Sequence, residues 1–448
     1  MMANVYISFL GTNCYIECKY YESDAPQNEH KCRFVQEATL SFHCKEWTQN
    51  DRILVFTTQK AHQKNWLDDN QVGKLKGLKA CIASLELAAS VSQIDIPEGT
   101  NESEIWTIFK KMYDALNSGD SVIFDITHAF RSIPLLALVV LNYARIMKNV
   151  HLKGIYYGAF ETLGTIQEAK KIASDQRRVP VLDFTPLNQL LEWTTAIEHY
   201  IKSGNADELG QLTEFQARNM LSESKGKKRF LHSFRKLGDI LQEFSLNLST
   251  VRALEITPII PRIKKNIDDC MNHSFIEPFN PVLSRIHDQM ESFEDSPSMD
   301  YNVNHGIQAA RFCVTHRMIQ QALTITTETM KSYFLEQIGE NSVDFDNKRT
   351  MELRELVNQA VNIFLDSDQS YNKMDSLLEK DKAVVHKLFK CFEAQKSFIK
   401  KYRNINNIRN DINHAGFNNN PSKAKVFEKK ISEFLDLFSS LHNNIPKI

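Results

Sequence analysis

Near the end of the chain, Arg403-Asn-Ile-Asn-Asn-Ile-Arg409-Asn410-Asp411-Ile412-Asn413-His414-Ala415-Gly416-Phe417 gathers two arginines, a histidine, an aspartate and five asparagines into fifteen residues. A histidine titrates near neutrality and serves as general acid or base. An arginine fork grips phosphate, or the charge that its transition state develops. Together they suit cleavage of RNA by its own 2′-hydroxyl, which needs proton transfer and anion stabilisation and no metal. Arg409, Asn410 and His414 are therefore the candidate catalytic residues.

The spacing says how a helix would hold them. Ile405, Ile408 and Ile412 follow i, i+3, i+7, so one stripe can be buried while the polar groups converge elsewhere. Asn410 and His414 are i, i+4 and share a face. Arg409 lies about 140° round an ideal helix from His414, within reach of a long side chain. Gly416 can end the helix at its C′ position and leave His414 in the last turn, where carbonyls favour a cation. Arg311 and His316 have the same spacing, but Phe312, Cys313 and Val314 stand between them in an apolar run, so that pair reads as structural. Arg409-Asn410-x-x-x-His414, then Ala-Gly and a last amphipathic segment, resembles the signature of HEPN ribonucleases. The resemblance implies a helical domain that dimerises so that two motifs form one metal-independent active site.

The rest of the chain bounds this reading. At 448 residues two or three domains are expected, and 42% hydrophobic with 24% charged residues is ordinary for a globular chain. The net charge of −1 gives no global basic field, so RNA must be gripped locally. No signal peptide or membrane-length apolar run is seen, and the eight cysteines lack zinc spacing, which fits a reducing cytoplasm and no metal or cofactor.

In the first 185 or so residues strands alternate with helices. Val5–Leu10, Ile53–Phe56, Val91–Ile96, Ser121–Phe124, Leu152–Tyr157 and Val179–Phe184 are apolar strand runs. Asn101-x-x-Glu104 opens one helix, and Arg131-Ser132-Ile133-Pro134 opens a longer one. The pattern predicts a Rossmann-like α/β domain with a mostly parallel sheet. Neither G-x-G-x-x-G nor a P-loop is present, which excludes the familiar dinucleotide and nucleotide-triphosphate sites. A ligand is still expected beyond the carboxyl ends of the strands. There Gly11-Thr12-Asn13 follows the first strand, and Asp125, Thr127, His128, Arg131 and Ser132 follow the fourth, so hydroxyls, a helix N-terminus and a guanidinium can meet an anion.

Phe9-Leu-Gly-Thr12, Asp125-x-Thr-His-x-Phe-Arg-Ser-x-Pro134, the strand Gly154-Ile-Tyr-Tyr157-Gly-Ala-Phe and the exit Leu182-Asp-Phe-Thr-Pro186 resemble the CARF domain, the CRISPR-associated Rossmann fold. Asn13-Cys14 departs from that family, which often has a second glycine there. With the late motif, the resemblance covers both ends of the chain and is to CARF–HEPN ribonucleases of type III CRISPR systems. It implies a homodimer whose CARF part binds a cyclic oligoadenylate, with the four-membered ring favoured over the six-membered one, and thereby activates cleavage of single-stranded RNA. It also assigns the eight front residues to ligand binding. A non-catalytic nucleotide sensor and a HEPN toxin with another trigger are the rival readings.

From Leu187 helical periodicity takes over. Residues 1–186 are expected to form the sensor, 187–300 a helical connecting region punctuated by Pro258, Pro261, Pro278 and Pro281, and 301–448 the ribonuclease domain. Ile307–Leu335 reads as one long helix, and Phe427, Ile431, Phe434, Phe438 and Leu441 as a bundle-core stripe. Lys225–Arg229 and Glu291–Asp300 read as exposed loops.

Overall fold

The apolar run after Ala3 forms β1 (Asn4–Leu10), and its side chains point alternately into two cores. Val5, Ile7 and Phe9 join one cluster, and Tyr6 and Leu10 the other. β4 (Arg52–Thr57) and β6 (Ser121–Asp125) are divided in the same way, which explains why these strands read as continuous apolar runs. The computed structural model describes residues 3–68, 75–128, 133–223, 230–271, 280–291, 293, 301–366 and 379–444.

Among these residues the sheet has eight strands in the order β3-β2-β8-β7-β6-β1-β4-β5. Here β2 is Cys18–Glu22, β3 Ala25–Cys32, β5 Ser90–Asp95, β7 His151–Gly158 and β8 Arg178–Asp183. β5, β4, β1, β6 and β7 run parallel. The antiparallel pairs are β7 with β8 and β2 with β3. Helices α1 (Val35–His43) and α2 (Leu78–Ala83) flank one face, with Leu40, Leu78 and Ile82 in its core. Helices α3 (Glu102–Asp114) and α4 (Ile133–Lys148) cover the other, through Ile108, Met112, Ala137, Val140, Leu141 and Ala144. Asn101 caps α3 by accepting the Glu104 N–H at 3.0 Å, as the sequence indicates. After β1 the chain forms the β2–β3 hairpin at the far edge, then adds β4 and β5 on one side of β1 and β6 and β7 on the other. The order therefore reverses between β1 and β6, which is where an open α/β sheet forms its ligand crevice.

The chain divides into two compact units, Met1–Gln189 and Leu190–Ile448. The second is helical, and one apolar cluster runs through it from Trp193 to Phe438. The region expected as a connector thus shares its core with the later helices. Helix α5 (Ala253–Met271) continues through Pro258 and Pro261, because Ile256, Ile259, Ile260, Ile263 and Ile267 bury one face of it. Pro281 lies in the first turn of α6 (Asn280–Glu291). Pro278, Lys225–Arg229 and nearly all of Glu291–Asp300 lie outside the described residues. The single helix expected over Ile307–Leu335 is two, α7 (Val303–Thr315) and α8 (Ile319–Gln337). Arg317 between them adopts a φ of 60°. Apolar periodicity did not show the break because both helices bury into one core. Helix α9 (Lys396–Asn413) buries Phe398, Ile399, Tyr402, Ile405 and Ile408, and α10 (Phe427–Asn444) buries Ile431, Phe434 and Phe438 beside it. Among the described residues no helix is long and apolar enough to cross a membrane.

Candidate functional site

In the first unit the turn after β1 is fixed by groups arriving from after β4. Asn65 Nδ2 donates to the carbonyls of Gly11 (2.8 Å) and Asn13 (3.1 Å), and Lys64 Nζ to that of Thr12 (2.6 Å). The Gly11 N–H donates to the Tyr15 hydroxyl at 3.1 Å. A Cβ at Gly11 would stand 3.0 Å from that hydroxyl and 3.2 Å from the His128 carbonyl, so the two loops approach closely over a residue without a side chain.

The loop after β6 is built around Asp125. Its fully buried carboxylate accepts from Tyr6 (3.0 Å), Ser8 (3.1 Å), and the N–H (3.0 Å) and hydroxyl (2.6 Å) of Thr127. Burial raises its carboxyl pKa, and these hydrogen bonds oppose the rise. The Thr127 hydroxyl in turn accepts the Gly158 N–H at 2.9 Å, tying the loop to β7. Asp125, expected as a ligand contact, has both carboxylate oxygens engaged in the interior by Tyr6, Ser8 and Thr127. Gly11 and Thr12 do not line the cavity that opens here.

That cavity, of about 280 Å³, brings Asn13, Thr127 and His128 together with Tyr15, Arg33, Tyr157 and Glu161. His128 meets the Tyr15 ring edge-on at 4.5 Å, and its buried Nε2 has no hydrogen-bond partner among the described residues. Burial lowers its pKa to about 3, so the ring is neutral at physiological pH. Arg33 has its guanidinium 4.3 Å from the Phe34 ring, and its buried Nε also lacks a partner among the described residues. Tyr157 donates to Glu161 at 2.9 Å. Sequence reading missed Arg33 because it follows the β2–β3 hairpin, whose polar outer strand Ala25–Cys32 carries little apolar pattern. Arg131 and Ser132 lie outside the described residues.

In the helical unit α9 ends at Asn413 with His414 as its C-cap. Ala415 and Gly416 take φ of 52° and 75°, and the Gly416 N–H reaches the Asp411 carbonyl at 2.9 Å, a helix stop of the Schellman kind. His414 and Asn410 are exposed, and no hydrogen bond occupies the His414 ring among the described residues. Arg409 is half-buried. Its Nη1 donates to Asn410 Oδ1 at 3.0 Å, and its Nη2 lies 3.7 Å from Glu328 on α8. Glu328 also binds Lys331 at 2.7 Å and Arg354 at 2.9 Å. Burial works against its ionisation, but the Lys331 and Arg354 pairs outweigh that and hold its carboxyl below the usual range.

A groove of about 320 Å³ beside the helix end is lined by Asn404, Asn407, Asn410, His414 and Asn420 above Ile408. One of its walls is the loop after the motif. The Asp411 carboxylate fastens that loop by accepting from the Ser422 N–H at 2.7 Å, and the same bond holds its pKa below the ordinary value. The Arg311–His316 pair has no such setting. Arg311 pairs with Asp436 at 2.9 Å, while His316 is buried with its ring 4.2 Å from that of Phe312. On α6, His287, Asp288 and Glu291 bring three ligand-type atoms within 4.8 Å of one another, a largely exposed acidic group that sequence reading did not single out.

Residues 5–161 match the family described as CRISPR system endoribonuclease Csx1, CARF domain. CRISPR-associated protein MJ1674 of Methanocaldococcus jannaschii is 28% identical over 204 residues, 45% of this chain and 28% of that protein. The matched stretch thus spans under a third of that relative's length. The matched residues include every strand of the sheet except β8, with the β1/β6 crevice and Asp125-Ile-Thr127-His128. Residues 5–161 thus carry a CARF-domain match on a mostly parallel, Rossmann-like sheet.

Proposed function

We propose that this chain is an ancillary ribonuclease of type III CRISPR defence, in which a cyclic oligoadenylate on a CARF dimer switches on metal-independent cleavage of single-stranded RNA by HEPN-type helices. The observation that carries the reading is the helix end at His414. There a solvent-facing imidazole, an arginine held by Glu328 and a polar groove meet at one stopped helix. His414 takes the proton of the RNA 2′-hydroxyl or delivers one to the leaving 5′-oxygen, with its counterpart in the second copy sharing the work. The 2′-oxygen bonds to phosphorus, the P–O5′ bond breaks, and a 2′,3′-cyclic phosphate remains. Arg409 stabilises the phosphorane charge, and Asn410 orients the guanidinium.

A two-fold dimer agrees with α4. Leu135, Leu138, Val139, Tyr143, Ile146 and Met147 are all exposed and fall on one helical stripe, although Ala137, Val140, Leu141 and Ala144 of the same helix are buried. A self-complementary face of this sort suits an isologous pair. The CARF cavity offers Arg33 for phosphate and Tyr15, His128 and Tyr157 for stacking or hydrogen bonds to adenine. Cyclic tetraadenylate, with even-fold symmetry, is the favoured activator and cyclic hexaadenylate the alternative. Incubation with labelled RNA or DNA, with each cyclic oligoadenylate and with EDTA, tests all of this. Activator-dependent, EDTA-resistant cleavage of RNA alone is the expected result, and its absence with every ring size would end the proposal.

A further inference from the structure

Three residues beyond His414 stands Phe417, 89% exposed and the most exposed of the large apolar side chains among the described residues. It is not on a loose tip. Its N–H bonds the His414 carbonyl at 2.9 Å, Asn418 N bonds the Gly416 carbonyl at 2.8 Å, and Asn420 N bonds Asn418 Oδ1 at 2.8 Å. The Asp411–Ser422 bond closes the same turn. An aromatic ring is thus held in water one turn from the candidate catalytic imidazole. The adjoining groove adds an independent observation. Asn404, Asn407, Asp411 and His414 follow i, i+3, i+7, i+10 on one face of α9, and Asn420 faces them from the loop. Asn418 is engaged with Asp411 and Asn410 with Arg409, which leaves Asn404, Asn407 and Asn420 among the described residues as the amides available to a ligand.

We infer that Phe417 and this asparagine groove form a nucleobase subsite, which stacks and reads an unpaired RNA base next to the scissile phosphate. Every base has a π-face, so an exposed ring suits single strands, whereas paired bases keep their faces in the helix. A carboxamide offers a donor and an acceptor side by side, the pattern that matches the N6/N7 edge of adenine. Adenine is therefore the preferred base. The inference rests on the ribonuclease reading for its place beside a scissile bond, but base binding is measured separately from cleavage.

The test uses the full-length protein. In a His414→Ala background, binding of a labelled single-stranded oligoadenine RNA is followed by fluorescence anisotropy. Adding Phe417→Ala is expected to weaken it about tenfold or more, and Phe417→Tyr to restore it. With a strand carrying an abasic position at the cleavage site, Phe417→Ala should make no further difference. Asn407→Ala with Asn420→Ala should narrow the preference for adenine over uracil. In the His414-intact enzyme the loss appears mainly in KM. Wild-type cleavage by His414→Ala would overturn the ribonuclease reading. If His414→Ala is inactive but Phe417→Ala leaves RNA affinity unchanged, the subsite alone falls. It also falls if sedimentation shows that Phe417→Ala dissociates a dimer, since the ring would then belong to a contact between copies.

Discussion

The CARF crevice and the end of α9 each present a histidine, and the two are placed in opposite ways. His128 is pressed against Tyr15 with its Nε2 sealed from water and its pKa lowered to about 3 by burial. His414 stands in solvent at a helix stop, with its ring unoccupied among the described residues. A ring that stays neutral across the physiological range can stack and accept or donate one hydrogen bond, which is what recognition of an uncharged base needs. A solvent-facing ring beside an arginine can exchange protons with a substrate. Under the proposed function, the difference between a sensing and a reacting histidine would lie in burial, with the residue type held constant.

Exchanging the two roles is the most severe test. His414→Ala is expected to lower RNA cleavage by about 10²–10⁴ while the thermal midpoint stays put, because an exposed ring contributes little to stability. His128→Ala should instead raise the activator concentration needed for half-maximal cleavage and leave the rate at saturation nearly intact. The reverse pattern in single-turnover assays would break the comparison.

The second test concerns how the crevice is completed. A charge in the middle of the α4 stripe, Val139→Glu, meets an apolar partner face if two copies pair there. Sedimentation velocity should show the pairing weakened about a hundredfold or more, with activation lost in parallel. A variant still dimeric at micromolar concentration would remove α4 from the interface.

The third test uses pH. The folded pKa of His128 is depressed, so between about 6.5 and 3 the unfolded chain binds a proton that the folded chain refuses. The stability it contributes is full above about 6.5 and is lost as pH falls toward 3, at up to about 1.4 kcal/mol per pH unit. Asp125, with a raised carboxyl pKa, acts in the opposite sense, so the informative quantity is the difference between wild type and His128→Asn. That gap in thermal midpoints should shrink between pH 7 and pH 4.5, and a constant gap would mean that the ring titrates normally.

Much of this was legible beforehand because the signals were local. β1, β4 and β6 announced themselves as apolar runs since both faces of the sheet are covered, and the Ala-Gly pair marked the helix stop, although Ala415 and not Gly416 takes the C′ position. Long-range pairing was not legible. Arg33 reaches the cavity only through a hairpin with little apolar pattern, and nothing near Arg409 in the sequence points to Glu328, eighty-one residues earlier. The inward orientation of Asp125 was not legible either, because a polar residue after a buried strand looks the same whether it faces the crevice or the interior.

The smallest effect is expected at Glu328, and it asks how far the exposed site depends on buried support. Lys331 and Arg354, with side chains 8% exposed, both rely on its carboxylate, while Arg409 lies farther off at 3.7 Å. Glu328→Gln keeps the shape and removes the charge. Because the carboxylate is 39% exposed, solvent offsets part of the loss, and a cost of about 1–2 kcal/mol in unfolding free energy is expected. Cleavage should fall only a few-fold, through a less fixed guanidinium. Pairing the change with Arg409→Lys separates the two effects. If Glu328 acts through Arg409, the double variant cleaves no more slowly than Arg409→Lys alone, although it remains less stable. Additive losses in rate would show Glu328 to be a scaffold residue with no tie to the chemistry.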